Sequence, residues 1–304
     1  MPSENLYEIR DDRFRDLIIL NAFLEELYSD CLWAEGPVWC EDWRHLIWSD
    51  IPNNRMLRWS PETGVSVFRA PSNFANGNTR DRNGRLISCE HGARRVVRAE
   101  PDGGLTVLAD SFEGGKLNSP NDVVVHEDGA VWFTDPTYGI LSDYEGYKAE
   151  PEQARRRVYR IDGATGNITA VVDDFVQPNG LAFSPDFKKL YVADSGRSHD
   201  SAAPHHIRVF DVGDGGRLSG GAVFAEIDTG VPDGFRLDTE GRVWTSAGDG
   251  VHCFDPDGTL LGKIRIPQTV ANLTFGGPRR AQLFIVATRS LYAIHVNARG
   301  CARP

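Results

Sequence analysis

A seven-residue step recurs along this chain and leaves it few folds to adopt. Each copy opens on a polar residue, runs through a short apolar stretch, and turns seven residues later into a second apolar stretch. Glu35 leads to Asp42 in "EGPVWCEDWRHLIWSD", Asn76 to Asn83 in "NGNTRDRNGRLISCE", and Asn121 to Asp128 in "NDVVVHEDGAVWFTD". Asn179 leads to Asp186, Asp233 to Glu240, and Asn272 to Arg279 in the same way. Four copies close on an acid: Asp50, Glu90, Asp135 and Asp194.

Successive polar starts lie 41, 45, 58, 54 and 39 residues apart, the size of a four-stranded propeller blade with loops of varied length. Further strand pairs with Gly turns fill the intervals, as in "RVVRAEPDGGLTVLAD" and "VHCFDPDGTLLGKIRI". The expected fold is all-β: a six-bladed β-propeller over residues 33–304 with a metal site in its central channel. A β-sandwich or a pair of barrels would also space strands this way, but leaves the common phase to coincidence. Residues 1–32 form an N-terminal segment. It is either a short helix over 12–28 or a strand that closes the last blade beside "SLYAIHVNA".

The 31 Gly and 17 Pro of the 304 residues are spread evenly, which suits many short strands joined by turns. The net charge of −10 argues against nucleic acid or an anionic membrane as partner. Five scattered Cys with no CxxC pair offer neither a disulfide framework nor a thiolate zinc site. The apolar run "LIILNAFLEELY" is too short and too charged to span a bilayer. With no secretory leader in view, the expectation is a cytoplasmic protein, a monomer or weak homodimer.

In a propeller the first strand of every blade lines the channel, so equivalent positions form a ring. The six starts read Glu35, Asn76, Asn121, Asn179, Asp233 and Asn272: all carboxylates or amides. Turns favour Asn and Asp for local reasons, which is the plain reading of any single one. Six oxygen-bearing side chains converging on an axis need a shared partner, and a hard divalent cation supplies it. Ca²⁺ suits such ligands best, while Mn²⁺, Fe²⁺, Mg²⁺ and Zn²⁺ also accept them. Asp122 follows Asn121 where most other copies carry Gly: Gly36, Gly77, Gly180 and Gly234. It either braces Asn121 or reaches substrate.

The stretches "EGPVW", "CEHGARRV", "LNSPNDVVV", "WFTDPTYGI", "PNGLAFSPD", "LYVADSG" and "PDGFRLDTEGRVW" together resemble the gluconolactonase and regucalcin (senescence marker protein) family, in its bacterial sugar-lactonase branch. The similarity runs from Trp33 to Val296. It implies a six-bladed propeller with one divalent ion in the channel and a lactone as small-molecule substrate. Carried over motif by motif, the metal ligands fall on Glu35, Asn179 and Asp233, with Asp233 also the general base. Asn121 falls on a metal or substrate ligand. One departure is Ser119, where some animal members carry a substrate-contacting arginine.

Asn121, Asp122, Asn76, His91 and Asn272 are the candidate substrate contacts. His91 in "CEHGARR" is otherwise a hydrogen-bonded loop histidine, and the loop after Tyr138 is either a lid or mobile surface. "HDSAAPHH" reads as an exposed insertion. No GxSxG, HExxH or Walker motif is present. A phosphotriesterase-like hydrolase on the same ring, and a non-catalytic propeller that binds a partner, are the competing readings.

Overall fold

The computed structural model describes residues 6–301, so the ends of the two predicted spans, 1–5 and 302–304, lie outside the described residues. Among the described residues, six antiparallel sheets of four or five strands follow one another along the chain, with a two-stranded ribbon, Ser111–Phe112 and Gly115–Lys116, between the second and the third. The first comprises Ala34–Cys40, His45–Asp50, Arg55–Ser60 and Gly64–Arg69; the second runs from Ala75–Arg80 to Leu105–Ala109. The third comprises Val123–Val125, Val131–Asp135, Arg156–Ile161 and Ile168–Phe175. The fourth spans Pro178–Phe183 to Leu218–Glu226 and the fifth Phe235–Leu237 to Leu260–Arg265. The sixth has Val270–Gly276, Gln282–Ala287 and Ser290–His295. These are the blades of a six-bladed β-propeller: apart from the two strands that the N-terminal segment adds, each sheet is built from strands consecutive in the chain, which a sandwich with crossing connections is not.

The N-terminal segment joins two blades. Glu25–Tyr28 pairs antiparallel with Ser290–His295 as the outer strand of the sixth blade. Tyr7–Ile9 adds a fifth strand to the outer edge of the fifth. Between them Asp12–Asp16 is a 3-10 turn that buries Phe14 completely. Among the described residues, no helix is long and apolar enough to cross a membrane.

The core is distributed over the six blade interfaces. Strand side chains alternate between faces, and each face of a blade meets a neighbour, so the second strands are buried almost throughout. In Val131–Asp135, Trp132 enters the cluster shared with the fourth blade, around Leu181 and Phe183. Phe133 enters the cluster shared with the second, around Ile87 and Val96. Leu46 and Trp48 face the sixth blade while Ile47 faces the second. Exposure grows outward, as in Gly64–Arg69.

At the axis, the glycines after the polar starts let neighbouring inner strands touch. A Cβ on Gly36 would sit 2.0 Å from the Asn76 carbonyl oxygen, and one on Gly180 2.1 Å from that of Asp233. Gly77 leaves its space to Asp122, whose Oδ1 would lie 2.6 Å from such a Cβ. The Gly77 N–H also donates to the Asn121 carbonyl (2.8 Å). The Glu/Asn/Asp-Gly pattern is therefore a packing rule for the ring as well as a chemical one.

Candidate functional site

At one end of the channel a cavity of 440 Å³ is walled by Glu35, Asn76, Asn121, Asn179 and Asp233, five of the six ring positions. Trp33, Tyr138, Glu145, Arg197 and Asp228 complete much of its rim. All five sit at the start of an innermost strand, where the chain enters the blade and the side chain points to the axis.

Each ring residue is held by a defined partner. Glu35 Oε2 accepts from its neighbour's Gly36 N–H (2.5 Å) and from Asn272 Nδ2 (3.0 Å). Asn272 Oδ1 in turn accepts from the Leu273 N–H (2.8 Å). Both ends of that amide are used, so Asn272 orients Glu35 and does not reach the cavity as a substrate contact. The Asp233 N–H donates to Ser246 Oγ (2.8 Å), and the Asn179 amide donates to the Asp233 carboxylate. The Asn179 carbonyl is fixed by Thr134 Oγ1 (2.7 Å).

His91 is also displaced from its expected place. It is fully buried behind the cavity wall. Its Nδ1 lies 3.1 Å from the Glu145 carbonyl oxygen and its Nε2 3.3 Å from Asn76 Nδ2. A carbonyl only accepts, so Nδ1 carries the proton and Nε2 accepts from the Asn76 amide. Burial pushes the imidazole down to about 4, in keeping with a neutral ring. The consequence is that Asn76 must turn its Oδ1 toward the cavity.

Asp122, the other expected substrate contact, lies below the ring and off the cavity wall. Oδ1 accepts from the Val123 N–H (2.9 Å), and Oδ2 stands 3.7 Å from the Arg236 guanidinium. It is 2% exposed. Its charge is felt by Glu35 and Asp233 across the channel. Its place is that of a bracing group within the channel.

The donor set fits a hard cation. Asn76 Oδ1 and Asn179 Oδ1 are buried with no hydrogen-bond partner. Burial, ahead of repulsion from Asp122 and Glu145, raises Glu35 to about 8; burial and then the Glu35 charge raise Asp233 well above the carboxylate range. Unpartnered oxygens beside two carboxylates that repel each other are what a divalent ion would satisfy. A second convergence, Asp228, Asp249 and His252, is different in kind. Lys263 Nζ already sits 2.7 Å from Asp228 and 3.0 Å from Asp249, and His252 Nε2 2.6 Å from Asp249. That group is an ion-pair network supporting the rim.

Two wall residues escaped the sequence pattern. Glu145 comes from the 136–155 connection of the third blade, and Arg197 from the 195–205 connection of the fourth. Neither lies in the repeat, and only the length of these connections hinted at them. The "HDSAAPHH" segment is exposed in its first half and partly buried in its second, and His199 packs its ring 5.3 Å from Tyr138. Ser119 is fully buried and tethers the third-blade loop, its Oγ donating to the Pro136 carbonyl (2.7 Å) and accepting from the Gly139 N–H (3.0 Å).

Comparison with known proteins agrees with this architecture. Residues 33–289 match the SMP-30/Gluconolactonase/LRE-like region. A gluconolactonase of Zymomonas mobilis is 32% identical over 95% of this chain and 85% of its own length. The pentonolactonase XacC of Haloferax volcanii is 29% identical over 84% and 82%. The solved structure of a gluconolactonase from Xanthomonas campestris superposes with a TM-score of 0.90 at 38% identity, over 97% of this chain and 96% of that one. A match over most of the chain, a ring in the same fold and relatives at this identity make the conclusion plain: the chain belongs to the SMP-30/gluconolactonase/LRE-like family.

Proposed function

We propose that this protein is a metal-dependent lactonase that opens the ester ring of a sugar lactone, of the glucono- or pentono-lactone kind. The carrying observation is the ring itself: two carboxylates and unpartnered amide oxygens at the floor of a cavity of 440 Å³, roomy enough for a monosaccharide lactone. The names of the relatives support the substrate class.

Glu35, Asn179 and Asp233 would hold the divalent ion, Ca²⁺ on ligand chemistry, with Asn121 facing the same space. Such an ion supplies Lewis acidity at the lactone carbonyl. Asp233 takes the proton of the attacking water as the new C–O bond forms. Asn121 and Asn76 present polar ends to the sugar hydroxyls, and Asn76 is held for this by His91. Asn272 keeps Glu35 in the ligating rotamer. Trp33, Ile51 and Val270 give the wall an apolar side against which the sugar ring can lie.

The test is hydrolysis of a lactone panel after chelation, with single metals added back. Loss of turnover on chelation and recovery with a divalent ion are expected. Asp233→Asn should lower kcat by about 10²–10⁴-fold, the usual contribution of a general base, with the fold intact. Lactone hydrolysis indifferent to chelation, or preferential turnover of a phosphotriester, would overturn the reading.

A further inference from the structure

We propose that Glu145 is a second catalytic residue of this site, the general acid that protonates the ring oxygen of the lactone as the C–O bond breaks. The proposal rests on the lactone reading above. Ring opening expels a sugar alkoxide, a poor leaving group, so a proton donor on the leaving side is chemically required alongside the base on the water side.

The geometry singles out Glu145. It lines the same cavity as Glu35 and Asp233, and both carboxylates feel its charge. Among the described residues its carboxyl group has no hydrogen bond and no ion pair; the only contact of this kind is through its backbone carbonyl, to His91. Other candidate donors on the wall are engaged. Tyr138 O–H is 3.0 Å from Ser198 Oγ, and Asp228 is held by Lys263.

The segment that carries Glu145 is pinned. The Ala149 N–H donates to the Ile140 carbonyl (3.1 Å), and the Lys148 N–H to Asp143 Oδ1 (2.8 Å). The Tyr147 ring stands edge-on to Phe74 at 5.2 Å. Gly146 lies so close to Gly139 that a Cβ would fall 2.1 Å from its carbonyl oxygen. His91 then ties the Glu145 backbone to Asn76 of the ring. A side chain on a mobile lid would lack this anchoring, whereas a catalytic acid needs it.

The groups facing Glu145 in the cavity are Glu35, Asp233, Asp228, Tyr138 and Arg197. Burial raises its carboxyl to about 7, the direction a proton donor needs. The step balances. Asp233 accepts one proton of the water molecule while the water oxygen adds to the carbonyl carbon. The ring C–O bond breaks, and its electron pair takes the Glu145 proton to become the product hydroxyl. The proton on Asp233 returns through solvent to Glu145, and the sum is lactone plus water to hydroxy acid.

The experiment compares Glu145→Gln with the unmodified enzyme on glucono-δ-lactone and on dihydrocoumarin, an aryl lactone whose phenoxide leaves without help. The expected result is a loss of about 10²-fold or more in kcat on the sugar lactone and less than about tenfold on the aryl lactone. Cation affinity measured by calorimetry should change by less than about tenfold, the effect of losing one partly ionised neighbouring charge, and the melting temperature should stay as in the unmodified protein. Equal losses on both lactones, no loss on either, or collapse of cation affinity overturn the proposal while leaving the lactone reading standing. An unmodified enzyme that opens neither lactone overturns both.

Discussion

Glu35 and Asp233 show at the residue scale how this site is set. Without a cation, both carboxyls are pushed up, by burial first and then by neighbouring charges: Asp122 and Glu145 act on Glu35, and Glu35 acts on Asp233. The sign follows directly. A folded-state pKa above the ordinary value of 4.5 for Glu35 means the metal-free fold favours the proton, and stability from that preference is lost as pH rises toward about 8. A divalent ion must displace those protons, so its affinity rises with pH across the same window. Calorimetric titration of Ca²⁺ between pH 6 and 8 should show Kd falling by up to about tenfold per unit for each proton released. A Kd that does not move with pH would contradict the pairing of these two groups with the ion. Around them, Asn272, His91 and Asp122 lie off the cavity wall, and Asn272 and His91 hydrogen-bond the ring residues Glu35 and Asn76. The sequence marks them by type and phase, but which way a buried amide or imidazole faces depends on partners brought from other blades. Asn272 meets Glu35 across the closure of the ring, 237 positions away.

At the scale of the element, three of the four closing acids, Asp50, Asp135 and Asp194, have a common structural task. Asp194 accepts from the backbone N–H groups of Val176 (2.9 Å), Gln177 (2.9 Å) and Gly196 (3.1 Å). Asp135 accepts from Asn118 and Ser119 (2.8 Å each), and Asp50 from Leu32 (2.9 Å). Each acid ends a second strand and fixes the loop that delivers the polar start of an inner strand. They thereby aim Asn121 and Asn179 without touching the cavity. Asp194→Ala leaves several buried N–H groups unpaired and should cost on the order of 2–4 kcal/mol. Asp194→Asn keeps one acceptor and should cost less. Urea unfolding midpoints at constant slope measure both, and equal stability of all three proteins would refute the role. This level was legible because alternation and turn chemistry are local: the hairpins, the phase of Asn76 or Asn179 and the acid endings all follow from spacing. The connection 136–155 has no period to read, so Glu145 stayed hidden until the chain around Gly139 and Gly146 was placed.

The whole molecule is a ring whose closure is shared by the two ends of the chain. The sixth blade receives its outer strand, Glu25–Tyr28, from the N-terminal segment, in register with Leu291–Ala293 through Glu26 and Tyr292. Ser290 Oγ adds a bond to Glu26 Oε1 (2.7 Å). Phe14, Leu17 and Ile18 then pack into the interface between the fifth and sixth blades with Trp244 and Ile294. A circle of six wedges has no strain-free way to stay shut if one joint is weak, and loss of a strand opens an edge that can pair with another molecule. The joint also matters for chemistry, since Asn272 of the sixth blade orients Glu35 of the first. Removal of residues 1–29 should therefore do two things. It deletes the Phe14 contact, worth about 3–5 kcal/mol for a buried aromatic, together with the outer-strand hydrogen bonds. It also bares Ser290–His295, whose side chains are buried apart from His295. The truncated chain should aggregate or melt without cooperativity, and any soluble fraction should lose lactonase turnover through misplacement of Glu35. Light scattering and thermal melting read the first effect and cation affinity the second. A soluble, cooperatively melting truncation with full affinity would show that the C-terminal three strands close the ring alone.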